Sequence, residues 1–265
     1  MIADDIASAL RAAADGDGET RWDHVRALHR DGTVGALHAA VDLCESSLAE
    51  ERRLGADILG QLGGSGDESP HRAHSAPILA GLLHDPCADV VDAAVVALGH
   101  LAVEVDPSLL ASLAAPPAAE VRCGVAWALP NIGGAVTSPV LIQLSQDPDD
   151  DVRDWATFGL GSMIDDDSPQ IRDALFARTS DAHDETRGES LVGLAIRHDT
   201  RVLDPLLREL RADSVSWLAV DAARELGAPE LLGALEELLP WWDVDRALVE
   251  EAIAACGHER PPRSG

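Results

Sequence analysis

A short pattern returns along this chain at intervals of about thirty residues, and it constrains the fold more than any single motif does. Each copy opens on an acidic residue: Glu50 starts "EERRLGADILG", Asp89 "DVVDAAVVALG", Glu120 "EVRCGVAWALP", Asp151 "DVRDWATFGLG" and Glu185 "ETRGESLVGLA". These starts are 39, 31, 31 and 34 residues apart. Two degenerate copies, "WLAVDAARELG" from Trp217 and "ALVEEAIAACG" from Ala247, follow at spacings of 32 and 30. Within a copy the apolar residues at the second, sixth, tenth and thirteenth places fall on one stripe of a helix, as Val121, Val125, Leu129 and Ile132 do.

A shorter amphipathic segment precedes each of these helices: "SPVLIQLSQDP" from Ser138, "SPQIRDALFARTSD" from Ser168, "DTRVLDPLLREL" from Asp199 and "APELLGALEELLP" from Ala228. Serine before proline supplies a cap followed by proline at the first helical position. The aspartates of "DPDDD" and "DDDSP" are placed at helix N-termini, where the dipole favours a negative charge by about 0.3–1 kcal/mol each, and so are read as caps rather than metal ligands. One helix pair cannot bury its own apolar stripe, so neighbouring pairs must supply each other's core.

The helix-turn-helix unit, the acidic-Val-Arg openings Glu120-Val121-Arg122 and Asp151-Val152-Arg153, and the Ala-Leu-Gly type of ending resemble the HEAT-like repeats of bacterial and archaeal α-solenoid proteins. The resemblance runs over about residues 22–257 and is clearest between Asp89 and Arg197; the opening arginine is replaced by Val91 in one copy and lost in the last two. It implies an all-α fold: a right-handed α-α superhelix of about six to seven helix-turn-helix repeats, with the second helices on the concave side. The expected organisation is one α-solenoid domain over 1–258, with a capping helix and loop at 1–19, repeats over 20–257 and a disordered tail at 259–265.

Composition narrows the chemistry. Acidic residues outnumber basic ones 47 to 20, for a formal charge of −27, so a nucleic-acid backbone would be repelled. All the basic residues are arginine and tyrosine is absent, which removes lysine Schiff bases, P-loop lysines and catalytic tyrosines. A high-GC or salt-adapted host would also supply such acidity, without a functional reason. Cys44, Cys87, Cys123 and Cys256 lie far apart with no CxxC pair, which fits a reducing cytoplasm and neither a zinc knuckle nor a disulfide framework. The N-terminus lacks a basic leader and no apolar run approaches the roughly 18 residues of a membrane span, so neither export nor a membrane is expected.

With the second, sixth and tenth places turned to the core, the fourth, eighth and twelfth lie on the opposite or flanking surface. The eighth column reads Asp57, Val96, Trp127, Phe158, Val192 and Arg224; the twelfth reads Gln61, His100, Asn131, Ser162 and Ile196. His100, Trp127, Asn131, Trp155, Phe158 and Ser162 are therefore the candidate partner-binding residues. Trp127 and Asn131 stand four apart, similar to the Trp-x-x-x-Asn signature of armadillo-type nuclear import adaptors, a resemblance confined to one helix. It implies an asparagine amide clamping a peptide backbone while indoles sandwich lysine or arginine stems in an acid-rimmed groove. The next copy carries Phe158 and Ser162 at the same places, and the bland alternative is that Trp127 packs on the adjacent repeat.

The other constellations are thinner. Neither His71 with His74 nor the stretch with Asp23, His24 and His29 supplies a complete metal-ligand set, and Cys123 with His100 is a pairing that chance supplies. Of Trp241 and Trp242, one ring is expected under the final helix and the other partly exposed. The leading expectation is a non-enzymatic scaffold or inhibitor without cofactor or metal, whose acidic concave surface binds a basic protein or peptide segment and no nucleic acid. The alternatives are a HEAT-like lyase or isomerase related to phycobilisome chromophore lyases, and a DNA glycosylase built on HEAT-like repeats.

Overall fold

The computed structural model of the chain describes residues 2–115, 118–242 and 244–257. The expected tail at 259–265 lies outside the described residues. Among the described residues the regular structure is entirely helical. Contacts gather into two compact units, Met1–Val140 and Leu141–Gly265, where the sequence expectation was one domain over 1–258.

The first unit holds α1 (Ile2–Ala14), α2 (Gly18–Asp31), α3 (Val34–Cys44), α4 (Ala49–Gly60), α5 (Arg72–Leu82), α6 (Ala88–His100), α7 (Pro107–Leu113) and α8 (Ala119–Ile132). α9 (Thr137–Leu144) falls across the boundary. Its first residue is Thr137, so Ser138 stands inside the helix rather than capping it. In the first unit α2, α4, α6 and α8 pack in succession, and α3, α5 and α7 lie against α4, α6 and α8 as a second layer. α1, the expected N-terminal helix, pairs with α2.

The second unit holds α10 (Asp150–Phe158) continued by a π turn at Gly159–Met163, α11 (Pro169–Arg178), α12 (Asp184–Ile196), α13 (Leu203–Leu210), α14 (Trp217–Leu226), α15 (Leu232–Leu238) and α16 (Arg246–Gly257). α10, α12, α14 and α16 form one layer, with α11, α13 and α15 outside it. This is the stacked helix-pair arrangement of an all-α solenoid.

The recurring sequence pattern has a local cause at each place. Val121, Val125, Leu129 and Ile132 are all buried, as their periodicity requires. Asp149 caps α10 by accepting from Val152 N at 3.2 Å, and Ser168 caps α11 by accepting from Ile171 N at 3.3 Å.

The opening arginine is a staple. Arg52 holds Asp85 bidentately at 2.7 and 2.9 Å and donates to the Ser46 carbonyl at 3.0 Å. Arg153 holds Asp181 at 3.1 and 2.9 Å and donates to the Asp147 carbonyl at 2.9 Å. Arg187 donates to Glu209 at 3.0 Å and to the Asp181 carbonyl at 2.8 Å. Each arginine thus ties its own inter-helix loop to the next repeat, and Asp85 and Asp181 also accept from the backbone N–H two residues on. Two other arginines close helix ends: Arg72 donates to the carbonyls of Leu101 and Ala102, and the buried Arg197 to those of Leu160, Gly161, Gly193, Ile164 and Asp166.

Candidate functional site

Burial along the second helices isolates one accessible stripe. In α6 every residue from Val90 to Gly99 is buried except Asp92 and Val96, which with His100 occupy the fourth, eighth and twelfth places. α4 repeats this with Arg53, Asp57 and Gln61, and α10 with its π turn repeats it with Asp154, Phe158 and Ser162. A spacing of four residues keeps such positions on one helix face, so the stripe follows from the same geometry that buries the second, sixth and tenth places.

In the first unit His100 and Trp127 meet. Their ring centroids are 4.5 Å apart at an interplanar angle of 60°, an edge-on contact. The indole also lies over Gly99, where a Cβ would come within 2.9 Å of Trp127 Cζ3. Trp127 therefore packs on the adjacent repeat through one edge and remains half-buried. Gln61 Nε2 stands 2.9 Å from His100 Nε2, which suits a neutral imidazole accepting from the amide. Burial lowers the His100 pKa, and the nearby His29 lowers it further. Asn131 is exposed one turn beyond, its amide donating at 3.5 Å to the Trp127 carbonyl.

In the second unit Trp155 and Phe158 make an edge-on pair at 5.9 Å and 76°, with Trp155 37% exposed. Ser162 is exposed on the π turn one helical turn further along. The six candidate residues thus form two groups: His100, Trp127 and Asn131 in the first unit, and Trp155, Phe158 and Ser162 in the second.

The sequence reading passed over the carboxylates beside them. Asp92 has its pKa pushed up to about 6, by burial first and then by Asp57, Asp89 and Glu120, against the pull of Arg53. Burial also raises Asp154, whose Oδ1 is buried without a hydrogen-bond partner. Glu189, on the neighbouring α12, is pushed up to about 7 by burial and by the charges of Asp154 and Asp221. Each is a lone acid in a helix segment otherwise built of small and apolar residues, in "DAAVVALG", "DWATFGLG" and "GESLVGLA". That contrast was the available signal. Asp57 differs, since its carboxylate is paired with Arg21 and buried.

Trp242 is buried and Trp241 is 54% exposed, as the C-terminal expectation had it. Among the described residues no group of three or more His, Cys, Asp or Glu converges as metal ligands would. No helix of the described residues is long and apolar enough to cross a membrane. All four cysteines are free, and burial raises Cys44 to about 12 and Cys256 to about 11.

A family model for HEAT repeats matches residues 75–161 and 137–219, together more than half of the chain. The chain belongs to the HEAT-repeat family. A HEAT repeat is the helix pair described above. Protein YibA of Escherichia coli strain K12 is 38% identical over 133 residues, a stretch that is 50% of this chain and 47% of the relative. YibA of E. coli O157:H7 matches to the same extent, so the chain spans about half the length of the curated relatives it matches. The X-ray structure of E. coli YibA superposes with a TM-score of 0.74 at 28% identity, covering 95% of this chain and 92% of that one. The complex of CpcE and CpcF of phycocyanin lyase from Nostoc sp. PCC7120 gives a TM-score of 0.50 at 18% identity, covering 93% and 92%. At that identity the likeness is one of fold.

Proposed function

We propose that this HEAT-repeat protein is a non-enzymatic scaffold or inhibitor, and that the accessible stripe of its second helices binds a basic segment of another protein in the cytoplasm. The observation that carries this reading is the second unit's stripe: a part-exposed Trp155–Phe158 pair beside Asp154 and Glu189, two carboxylates that no arginine pairs with among the described residues. A guanidinium or ammonium group would neutralise them and could stack on the indole, a contact worth about 0.5–2 kcal/mol. His100, Trp127 and Asn131 would serve the same role in the first unit, with the exposed Asn131 amide available to a peptide group. The −27 formal charge would steer a basic partner and make association salt-sensitive. The cytoplasmic setting suits four free cysteines.

The test is capture of a basic protein or arginine-rich peptide at low and high salt by the wild type and by Trp155→Ala, Trp127→Ala and Asn131→Ala. Recovery that falls with salt and with substitution supports the stripe. Equal recovery by all four proteins rules it out.

A second reading, a lyase or isomerase acting on a linear tetrapyrrole, is prompted by the likeness to the CpcE–CpcF complex, which extends to fold and not to residues. An unchanged absorbance spectrum on mixing the protein with a linear tetrapyrrole would dismiss it. The DNA glycosylase reading is weaker, because the stripe displays Asp92 and Asp154, with Glu189 beside them, where a nucleic-acid surface needs cations.

A further inference from the structure

A cleft of about 500 Å³ opens in the first unit, a size in the range of small-molecule sites. Its apolar lining comes from Leu10, Ala13 and the 40%-exposed indole of Trp22, over whose ring the Arg21 guanidinium lies 5.3 Å from the centroid. Its charged lining includes Glu50 and Arg53 at the start of α4 and Asp89 at the start of α6.

Arg53 is only partly satisfied by its neighbours. Its Nε is buried and has no hydrogen-bond partner, and its Nη1 reaches Asp89 only at 3.5 Å. Arg21, the other arginine of the cleft, is engaged by Asp57 and so is not free in the same way. The first turns of α4 and α6, which border the cleft, carry no side-chain cap at Leu48 and Cys87, whereas α2 is capped by Asp17. A guanidinium suits a carboxylate, which can take the Nε and Nη donors of one arginine together. Glu50 and Asp89 are both exposed, and their charge would oppose a ligand that was only anionic. A ligand carrying both charges on one small frame, with an apolar side chain, satisfies all three sets of groups.

We propose that this cleft binds a free α-amino acid with a large apolar side chain: its carboxylate on Arg53, its ammonium between Glu50 and Asp89, and its side chain against Leu10, Ala13 and Trp22. This site borders the first unit's stripe at Arg53 but contains none of His100, Trp127, Asn131, Trp155 or Glu189, the residues proposed to hold a basic protein segment. Small-molecule occupancy and basic-peptide capture can therefore be measured independently.

Isothermal titration of the full chain with L-phenylalanine, N-acetyl-L-phenylalanine and L-phenylalaninamide tests the assignment without any variant. The free amino acid should bind with a dissociation constant of about 1 mM or tighter, and each blocked derivative about tenfold more weakly. Arg53→Gln should weaken phenylalanine by about tenfold or more, and Trp22→Ala should abolish the preference for phenylalanine over alanine. Undiminished helical circular dichroism would show that these variants remain folded. Absence of heat with phenylalanine at about 10 mM, or equal binding of the blocked derivatives, would overturn the proposal. Binding of N-acetyl-phenylalanine alone would overturn it too, leaving a carboxylate site with no role for Glu50 and Asp89.

Discussion

Gly161 and Gly193 meet backbone against backbone: a Cβ on Gly193 would lie 2.6 Å from Gly161 Cα and 3.1 Å from Leu175 Cδ1. This crossing sets how closely the π turn at Gly159–Met163 approaches α12, and it keeps the turn's carbonyls within reach of the Arg197 guanidinium. Neither glycine has room for a side chain without separating the helices. Gly193→Ala should lower stability by about 1–3 kcal/mol in a urea titration, through overpacking rather than lost contacts.

The Arg153–Asp181 pair should be costly to break. Both side chains are nearly buried, and Arg178 also donates to Asp181 at 3.1 Å. Burial alone would raise the Asp181 pKa, but the bonds from Arg153, the His183 backbone N–H and the charge of Arg178 outweigh it and hold it below 3.8. Its contribution is therefore present above pH 3.8 and is lost as pH falls through the lower folded-state value. Asp181→Asn should destabilise by about 2–4 kcal/mol at neutral pH, with the gap to wild type closing in acid, as followed by denaturant unfolding at several pH values.

Glu189 works in the opposite sense. Its pKa is pushed from 4.5 up to about 7, so the folded chain holds a proton that the unfolded chain releases between those values. The penalty is absent below pH 4.5, grows as pH rises and is complete above about 7. After discounting for the part of the group open to solvent, Glu189→Gln should raise stability by roughly 1–2 kcal/mol near pH 8 and change little near pH 4.

Trp127 and Trp241 should separate packing from exposure. Trp127→Ala removes an indole wedged over Gly99 and against His100 and should cost roughly 1–3 kcal/mol in thermal unfolding. Trp241→Ala, at a ring 54% exposed, should stay within about 0.5 kcal/mol of wild type.

How much of this was legible in the sequence depends on the distance over which each feature is decided. Helical periodicity is local, so the buried Val121–Val125–Leu129–Ile132 stripe, the caps at Asp149 and Ser168 and the family of the repeat could all be read from the residues. The arginine of the Asp151-Val152-Arg153 opening was visible as a mark of the repeat, but its partner Asp181 lies 28 residues away in the next loop, and only packing brings the two together. The pressure on Asp92, Asp154 and Glu189 arises from neighbouring helices, so a column read one residue at a time passed over them. The π turn was equally hidden, because it rests on the approach of Gly193 and on carbonyls held by Arg197.

The most direct measurement of the account is the affinity of an arginine-rich peptide for the wild type, Trp155→Ala, Glu189→Gln and Trp241→Ala, at about 50 and 500 mM salt. Binding should fall steeply with salt, weaken about fivefold or more in Trp155→Ala and Glu189→Gln, and be unchanged in Trp241→Ala. A peptide that binds all four proteins alike, or none of them at low salt, would contradict it.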